Sequence, residues 1–187
     1  MRRFILLAAL ALAPLVQTAH VAQATTFTFT TIDVPGASDT VVTGINPPGQ
    51  IVGYYNDGSG AQHGFLDDQG AFTAIDVPGA AFTAAFGINA RGQIVGSYAD
   101  STFGPSHGFL DDQGVFTTID FPGASPSPIG GTTAFGINDS GQIVGFYNAP
   151  GGPQGFLTAH GFLATSNIRP CRRGDGDSPP DCGEAQP

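Results

Sequence analysis

Lysine and tryptophan are absent from these 187 residues, and cysteine and methionine are nearly so, with two and one. Without lysine, all positive charge rests on six arginines, set against fifteen acids. Five of the six lie near the ends, so Arg91 is the sole arginine between Thr25 and Ile168. A nucleic-acid backbone would meet net repulsion and almost no cationic donors, which excludes that class of partner. Long apolar runs are also missing. The apolar stretch from Phe4 to Thr18 falls short of the roughly 20 residues that a spanning helix needs, and no later stretch is apolar enough to span a bilayer.

That early stretch follows Met1-Arg2-Arg3 and precedes Ala22-Gln23-Ala24. A basic start, an apolar run and small residues before a cut are the parts of a secretory signal peptide. Residues 1–24 are therefore expected to be removed, with the mature chain beginning at Thr25, secreted or periplasmic and carrying no membrane span. Its formal charge is then −11, from four arginines against fifteen acids. The only cysteines, Cys171 and Cys182, lie in a Ser/Pro/Gly/Asp-rich tail over 164–187. Export permits a disulfide between them, the alternative being free or intermolecular thiols.

What the chain has in abundance is repetition. Gly44-Ile45-Asn46 leads to Gly49-Gln50-Ile51-Val52-Gly53, then His63-Gly64-Phe65-Leu66-Asp67-Asp68-Gln69-Gly70, and Phe72-Thr73-Ala74-Ile75-Asp76-Val77-Pro78-Gly79-Ala80 closes the unit. The asparagine recurs at Asn89 and Asn138, and the closing aspartate stands at Asp33, Asp76 and Asp120. Units of this size cannot bury their own apolar face and must stack on copies of themselves. The repeats occupy about 38–80, 81–124 and 125–163 within one domain, 25–163.

Inside a unit the short apolar segments are punctuated by glycine and show no helical period. Candidate strands are Val41–Ile45, Gln50–Tyr55, His63–Leu66 and Phe72–Asp76. The fold class is all-β: a β-propeller-like array of three approximately four-stranded sheets. Gly53, Gly96 and Gly145 are expected to let adjacent sheets approach. Asn89-Ala90-Arg91-Gly92 and Asp67-Asp68-Gln69-Gly70 read as type I turns with a left-handed final glycine, and Asn46-Pro47-Pro48-Gly49 as a turn of another type. The chain opens with a closing phrase, residues 27–34, and its third unit has none. The first phrase would then complete the last blade, unless His160-Gly161-Phe162-Leu163 supplies that strand. Three blades are fewer than the usual four to eight. The options are a small self-closed body, a truncated domain, an open stack, or a homodimer forming a six-bladed ring.

The phrases Gly-Ile-Asn, Gly-Gln-Ile-Val-Gly and His-Gly-Phe at His63 and His107 resemble those of the HAF repeat family of probable bacterial extracellular proteins. The resemblance covers roughly residues 26–163, with glycine at the alanine of the family's His-Ala-Phe element and Gln154 in place of the histidine in the third copy. It implies export and a propeller-like repeat architecture, and brings no catalytic residue with it.

The residues themselves supply few chemical candidates. His63 and His107 suit a metal or proton transfer, or a plain hydrogen bond within a turn. Asp33, Asp76 and Asp120 would serve glycan hydrolysis if two converged in unlike environments, and otherwise cap a turn. Asp67-Asp68 and Asp111-Asp112 offer hard oxygen ligands but no complete calcium loop. Arg173-Gly174-Asp175 and the Asn138-Asp139-Ser140 glycosylation pattern are short enough to be coincidence. No nucleophile elbow, phosphate loop or zinc helix occurs. No catalytic residue, metal or cofactor is expected. The expected function is non-enzymatic recognition of a polysaccharide, envelope component or protein, through loops around Tyr54, Tyr55, Tyr98 and Tyr147, unless those rings pack between blades. The alternatives are a glycan-directed hydrolase using the repeated aspartates and a purely structural assembly subunit.

Overall fold

The computed structural model describes residues 26–152 and 156–165. The expected signal peptide over 1–24, the 166–187 part of the tail, the cysteine pair and the Arg-Gly-Asp tripeptide lie outside the described residues. The chain divides into two units at Thr31/Ile32. In the first, residues 26–31 belong to no strand.

The second unit is all-β and, among the described residues, without helix. Its strands are β1 (Asp39–Ile45), β2 (Ile51–Asn56), β3 (Gln62–Asp68), β4 (Ala71–Ile75), β5 (Phe82–Ile88), β6 (Ile94–Ala99), β7 (His107–Asp112), β8 (Val115–Ile119), β9 (Gly131–Ile137), β10 (Ile143–Pro150) and β11 (Leu157–Ala164). They form three antiparallel meanders: β1–β4 is sheet 1, β5–β8 is sheet 2, and sheet 3 has, among the described residues, the three strands β9–β11. The same bulge recurs in each first strand, at Thr43, Phe86 and Phe135, where one residue is skipped in the pairing. A bulge bends the strand and increases its twist.

Sheet 2 lies between the other two, and every residue of β6 is buried. Between sheets 1 and 2, Val52 and Ile75 meet Ala85, Ile88 and Ile94. Between sheets 2 and 3, Val95 meets Ala134 and Ile143. Phe65 and Phe109 are fully buried, and each such ring contributes about 1.5–3 kcal/mol. The adjacent apolar pairs Ile94-Val95 and Phe109-Leu110 reflect a sheet 2 covered on both faces, one member of each pair packing in the cluster with sheet 1 and the other in the cluster with sheet 3.

Several expectations need correction. A Cβ on Gly53, Gly96 or Gly145 would strike the first strand and the Phe65, Phe109 or Phe162 ring of the same sheet. These glycines make room for a ring lying across their own sheet. The close approach between sheets belongs to Gly44, where a Cβ would lie 3.0 Å from the Phe86 carbonyl oxygen, and to Gly87, 2.7 Å from that of Phe135. The Asp-Asp-Gln-Gly turns are not type I. Gln69 and Gly70 both have positive φ, as do Gln113 and Gly114, so each is a two-residue hairpin matching the strand twist. The Asn-Pro-Pro-Gly turn instead shares the frame of its counterparts. Gly49 N–H donates to the Asn46 carbonyl at 2.9 Å, as Gly92 does to Asn89 at 3.0 Å and Gly141 to Asn138 at 2.9 Å. The asparagine side chain fixes that frame by bonding both the backbone and the amide of the glutamine four residues on.

Candidate functional site

Each sheet carries one aromatic–histidine unit, positioned by strand register. Tyr55 opposes His63, Tyr98 opposes His107, and Tyr147 opposes His160. Ring centroids are 5.2, 5.2 and 5.3 Å apart. The third member of the histidine series is thus His160, not the position of Gln154, and the series is unbroken. The sequence offered both His160-Gly161-Phe162 and Gln154-Gly155-Phe156. Pairing of Gly145 with Phe162, as Gly53 pairs with Phe65, selects the first.

In sheets 1 and 2 the histidine is held by the closing aspartate. His63 Nδ1 lies 3.0 Å from Asp76 Oδ1, and His107 Nδ1 lies 2.8 Å from Asp120 Oδ2. The partner is a carboxylate at the end of the fourth strand rather than a turn carbonyl. Among the described residues, no group of three or more His, Cys, Asp or Glu is placed to hold a metal ion. The acidic turn pairs are engaged internally: Asp67 and Asp111 accept from the N–H of Gly70 and Gly114. Asp68 and Asp112 accept from Gln50 and Gln93. Asn138 Nδ2 donates to Gln142 at 2.7 Å within the turn that carries the glycosylation pattern.

The tyrosines sit in strands rather than loops. Tyr98 is buried with its hydroxyl 2.8 Å from Thr118 Oγ1. Tyr147 stacks on Phe121 at 3.7 Å, and Tyr54 meets Phe86 edge-on at 6.3 Å. Tyr98 is thus a packing residue, whereas Tyr54, Tyr55 and Tyr147 are half-buried in their strands.

A groove of about 610 Å³ runs instead between sheets 1 and 2. Leu66, Ile75 and Phe116 supply apolar lining, while Gln50, Arg91 and Gln113 supply polar groups, with Asp76 and Asp111 also on its wall. Arg91 forms no ion pair among the described residues. Burial pushes the Asp111 carboxyl above its usual range, with the Gly114 N–H opposing. Gln113 reaches the groove from a left-handed turn position, where asparagine or glycine costs less. Sequence reasoning noted Arg91 only for its solitude. Its uniqueness was the available signal, but facing turns from two sheets were needed to make a groove of it.

Asp57, beside His63 Nε2 at 3.6 Å, is held down to about 2, first by the Ser59 hydroxyl and then by the Ala61 and Ser59 N–H groups. A folded pKa below the ordinary value means that the loop is stabilised above about pH 4 and loses this support as pH falls toward 2. A carbon-detected NMR titration should place the Asp57 midpoint near 2. The Ser59 and Ala61 amide signals should move with it. A midpoint at the ordinary aspartate value would refute the assignment.

No family model matches the chain, and neither the curated proteins nor the solved structures include a match.

Proposed function

We propose that the chain is a non-enzymatic, exported β-repeat module that recognises a polysaccharide outside the cytoplasm, with the groove between sheets 1 and 2 as its seat. The observation that carries this reading is the chemistry of that groove. An arginine without an ion pair among the described residues, two side-chain amides and two carboxylates surround an apolar strip. Sugars present hydroxyl groups to such donors and acceptors and C–H faces to such strips, and the volume lies within the ordinary range for ligand sites. The resemblance of the repeated phrases to the HAF family supports export and a propeller-like arrangement of the sheets. Asp76 and Asp120 are each bonded to a histidine of their own sheet, which favours binding over hydrolysis by a converging carboxylate pair.

Glycan-array binding, followed by affinity electrophoresis on the polysaccharides that score, tests the reading. The wild-type protein should be retarded without releasing reducing ends, and Arg91→Ala should weaken retention at least about tenfold, the loss expected of a charged hydrogen bond. Unchanged retention in Arg91→Ala would move the seat elsewhere. Release of reducing ends abolished by Asp76→Asn would favour the hydrolase. A second reading, an assembly subunit, is favoured by sheet 3, whose edge strand β11 pairs with β10 on one side and with no strand on the other among the described residues.

A further inference from the structure

Sheets 1 and 2 define how each unit hands over to the next. The closing strand ends, a Pro-Gly turn follows, and the N–H just after the closing aspartate bonds a threonine on the first strand of the next sheet. Val77 N–H donates to Thr83 Oγ1 at 3.1 Å, and Phe121 N–H to Thr132 Oγ1 at 2.9 Å. Val34 N–H donates to Thr40 Oγ1 at 3.1 Å in the same way. Asp33 thus stands where the closing aspartate of a sheet preceding sheet 1 would stand. No described sheet occupies that place, and among the described residues sheet 3 has no fourth strand.

The faces on either side of this gap are complementary. On β1, Val42 is 45% exposed and Ile45 67%, whereas their equivalents Ala85 and Ile88 in sheet 2 are 0% and 8% exposed. On sheet 3, Val144 is 50% exposed, whereas Val52 and Val95 are both 0%. Gly64 and Gly108 sit tightly between the isoleucine of their own fourth strand and the first strand of the next sheet. A Cβ there would lie 2.7 and 2.6 Å from the Ile75 and Ile119 carbonyl oxygens. Gly161, their equivalent, has neither neighbour, its nearest being the Gly145 carbonyl at 3.8 Å. Phe65 and Phe109 each pack against a fourth-strand ring, Phe72 and Phe116, at 5.8 Å. Phe162 is only half-buried, and Phe29, the residue equivalent to Phe72, is 90% exposed.

We propose that two copies of this chain join head to tail, with residues 28–32 of one copy adding along β11 of the other as its missing fourth strand and sheet 1 of the first covering sheet 3 of the second. The register follows from the β3–β4 pairs Gly64–Ile75, Phe65–Ala74 and Leu66–Thr73. Its counterparts are Ile32 opposite Gly161, Thr31 opposite Phe162 and Thr30 opposite Leu163, with Asp33 reaching His160 as Asp76 reaches His63. A second copy is the occupant because the chain's own sheet 3 leaves the sheet 1 face exposed. Reciprocal exchange closes a two-chain ring of six sheets, within the usual range for propellers, and pairs the open side of both β11 strands.

Two single-cysteine proteins, Thr30→Cys and Leu163→Cys, each made in a Cys171→Ser/Cys182→Ser background and distinguishable by mass, should form a mixed disulfide dimer when combined and oxidised. A cross-link formed only within the doubly substituted chain would overturn the proposal. On native mass measurement the full exported chain should weigh two copies. Deletion of residues 26–31 should return it to one copy with its β-sheet circular dichroism intact, and a deletion variant that stays dimeric would refute the strand exchange. Phe29→Ser should raise the dimer dissociation constant at least tenfold, while Phe27→Ser, one position before the pairing register, should leave it within about twofold. Equal effects of the two would point to unregistered apolar association and against the exchanged strand.

Discussion

Replacing Gly96 with alanine should destabilise the domain by about 3 kcal/mol or more, at the upper end of what overpacking costs. The added methyl would be driven into the Ala84 carbonyl and lie 2.6 Å from the nearest ring atom of Phe109. Both obstacles are rigid. The carbonyl belongs to the paired backbone of β5, opposite β6, and the ring is fully buried. A loss of this size lowers the melting temperature by about 10 °C in a domain of this length. Gly58→Ala is the control, because a Cβ there has nothing within 4 Å and Gly58 has no positive φ. The pair of melting curves decides the point. If Gly96→Ala melts with Gly58→Ala, the ring does not lie across the strand as described. Phe109→Leu in the Gly96→Ala background should recover only part of the loss, since the carbonyl clash remains.

The second large effect belongs to the ring itself. Phe109→Ala should cost about 3–5 kcal/mol, the usual range for emptying a fully buried aromatic site. Phe109 shares its core cluster with Val52 and Ile75 of sheet 1 and with Ala85, Ile94 and Tyr98 of its own sheet, so collapse into the vacancy is restricted and the cost should lie toward the upper end. Phe162→Ala at the equivalent place in sheet 3 removes a half-buried ring with an open neighbour position. In a dilute preparation its cost should be about half as large. Urea denaturation of the two variants gives the comparison directly, and equal midpoint shifts would contradict the difference in burial between the sheets.

Much of the local structure was legible because it depends on short-range chemistry. The four strands of the first unit were placed within one or two residues of their observed bounds. The Pro-Gly turns after Val34, Val77 and Phe121 close with Ala37, Ala80 and Ala124 N–H bonds of 3.0–3.1 Å, each with a positive-φ glycine. The Asp-Asp-Gln-Gly hairpins were misread because aspartate at the entry suggested a type I turn. The pairing of Asp68 with Ala71 leaves only two residues in the loop, and strand twist then imposes positive φ on glutamine as well. The double proline misled in the opposite sense. Pro48 has no N–H to give, but the Asn46 side chain already ties the turn through Gln50.

The asparagines explain why the repeats stack in register. Asn46 Nδ2 donates to the Asn89 carbonyl and Asn89 Nδ2 to that of Asn138, both at 3.1 Å, while their Oδ1 atoms hold the local turn. Periodicity marked these residues as equivalent without indicating that they touch. The same limit applied to the candidate site. Asp76 and Arg91 stand fifteen positions apart in sequence, on sheet 1 and on the turn between β5 and β6, and they line one groove only because sheet 2 packs on sheet 1.

The sequence by itself determined the all-β character, the three repeated units, the paucity of positive charge and the identity of the repeated histidines, aspartates and glycines. Each follows from composition or from a pattern that repeats along the chain. Only the tertiary structure decided that His160 continues the histidine series, that the central glycines accommodate rings of their own sheet, that Tyr98 is buried, and that sheet 3 has three strands among the described residues. Those outcomes depend on register and on which face meets which neighbour. A one-residue slip in pairing reverses every side chain, and the repeated phrases allow more than one pairing until whole sheets compete for the same apolar surface.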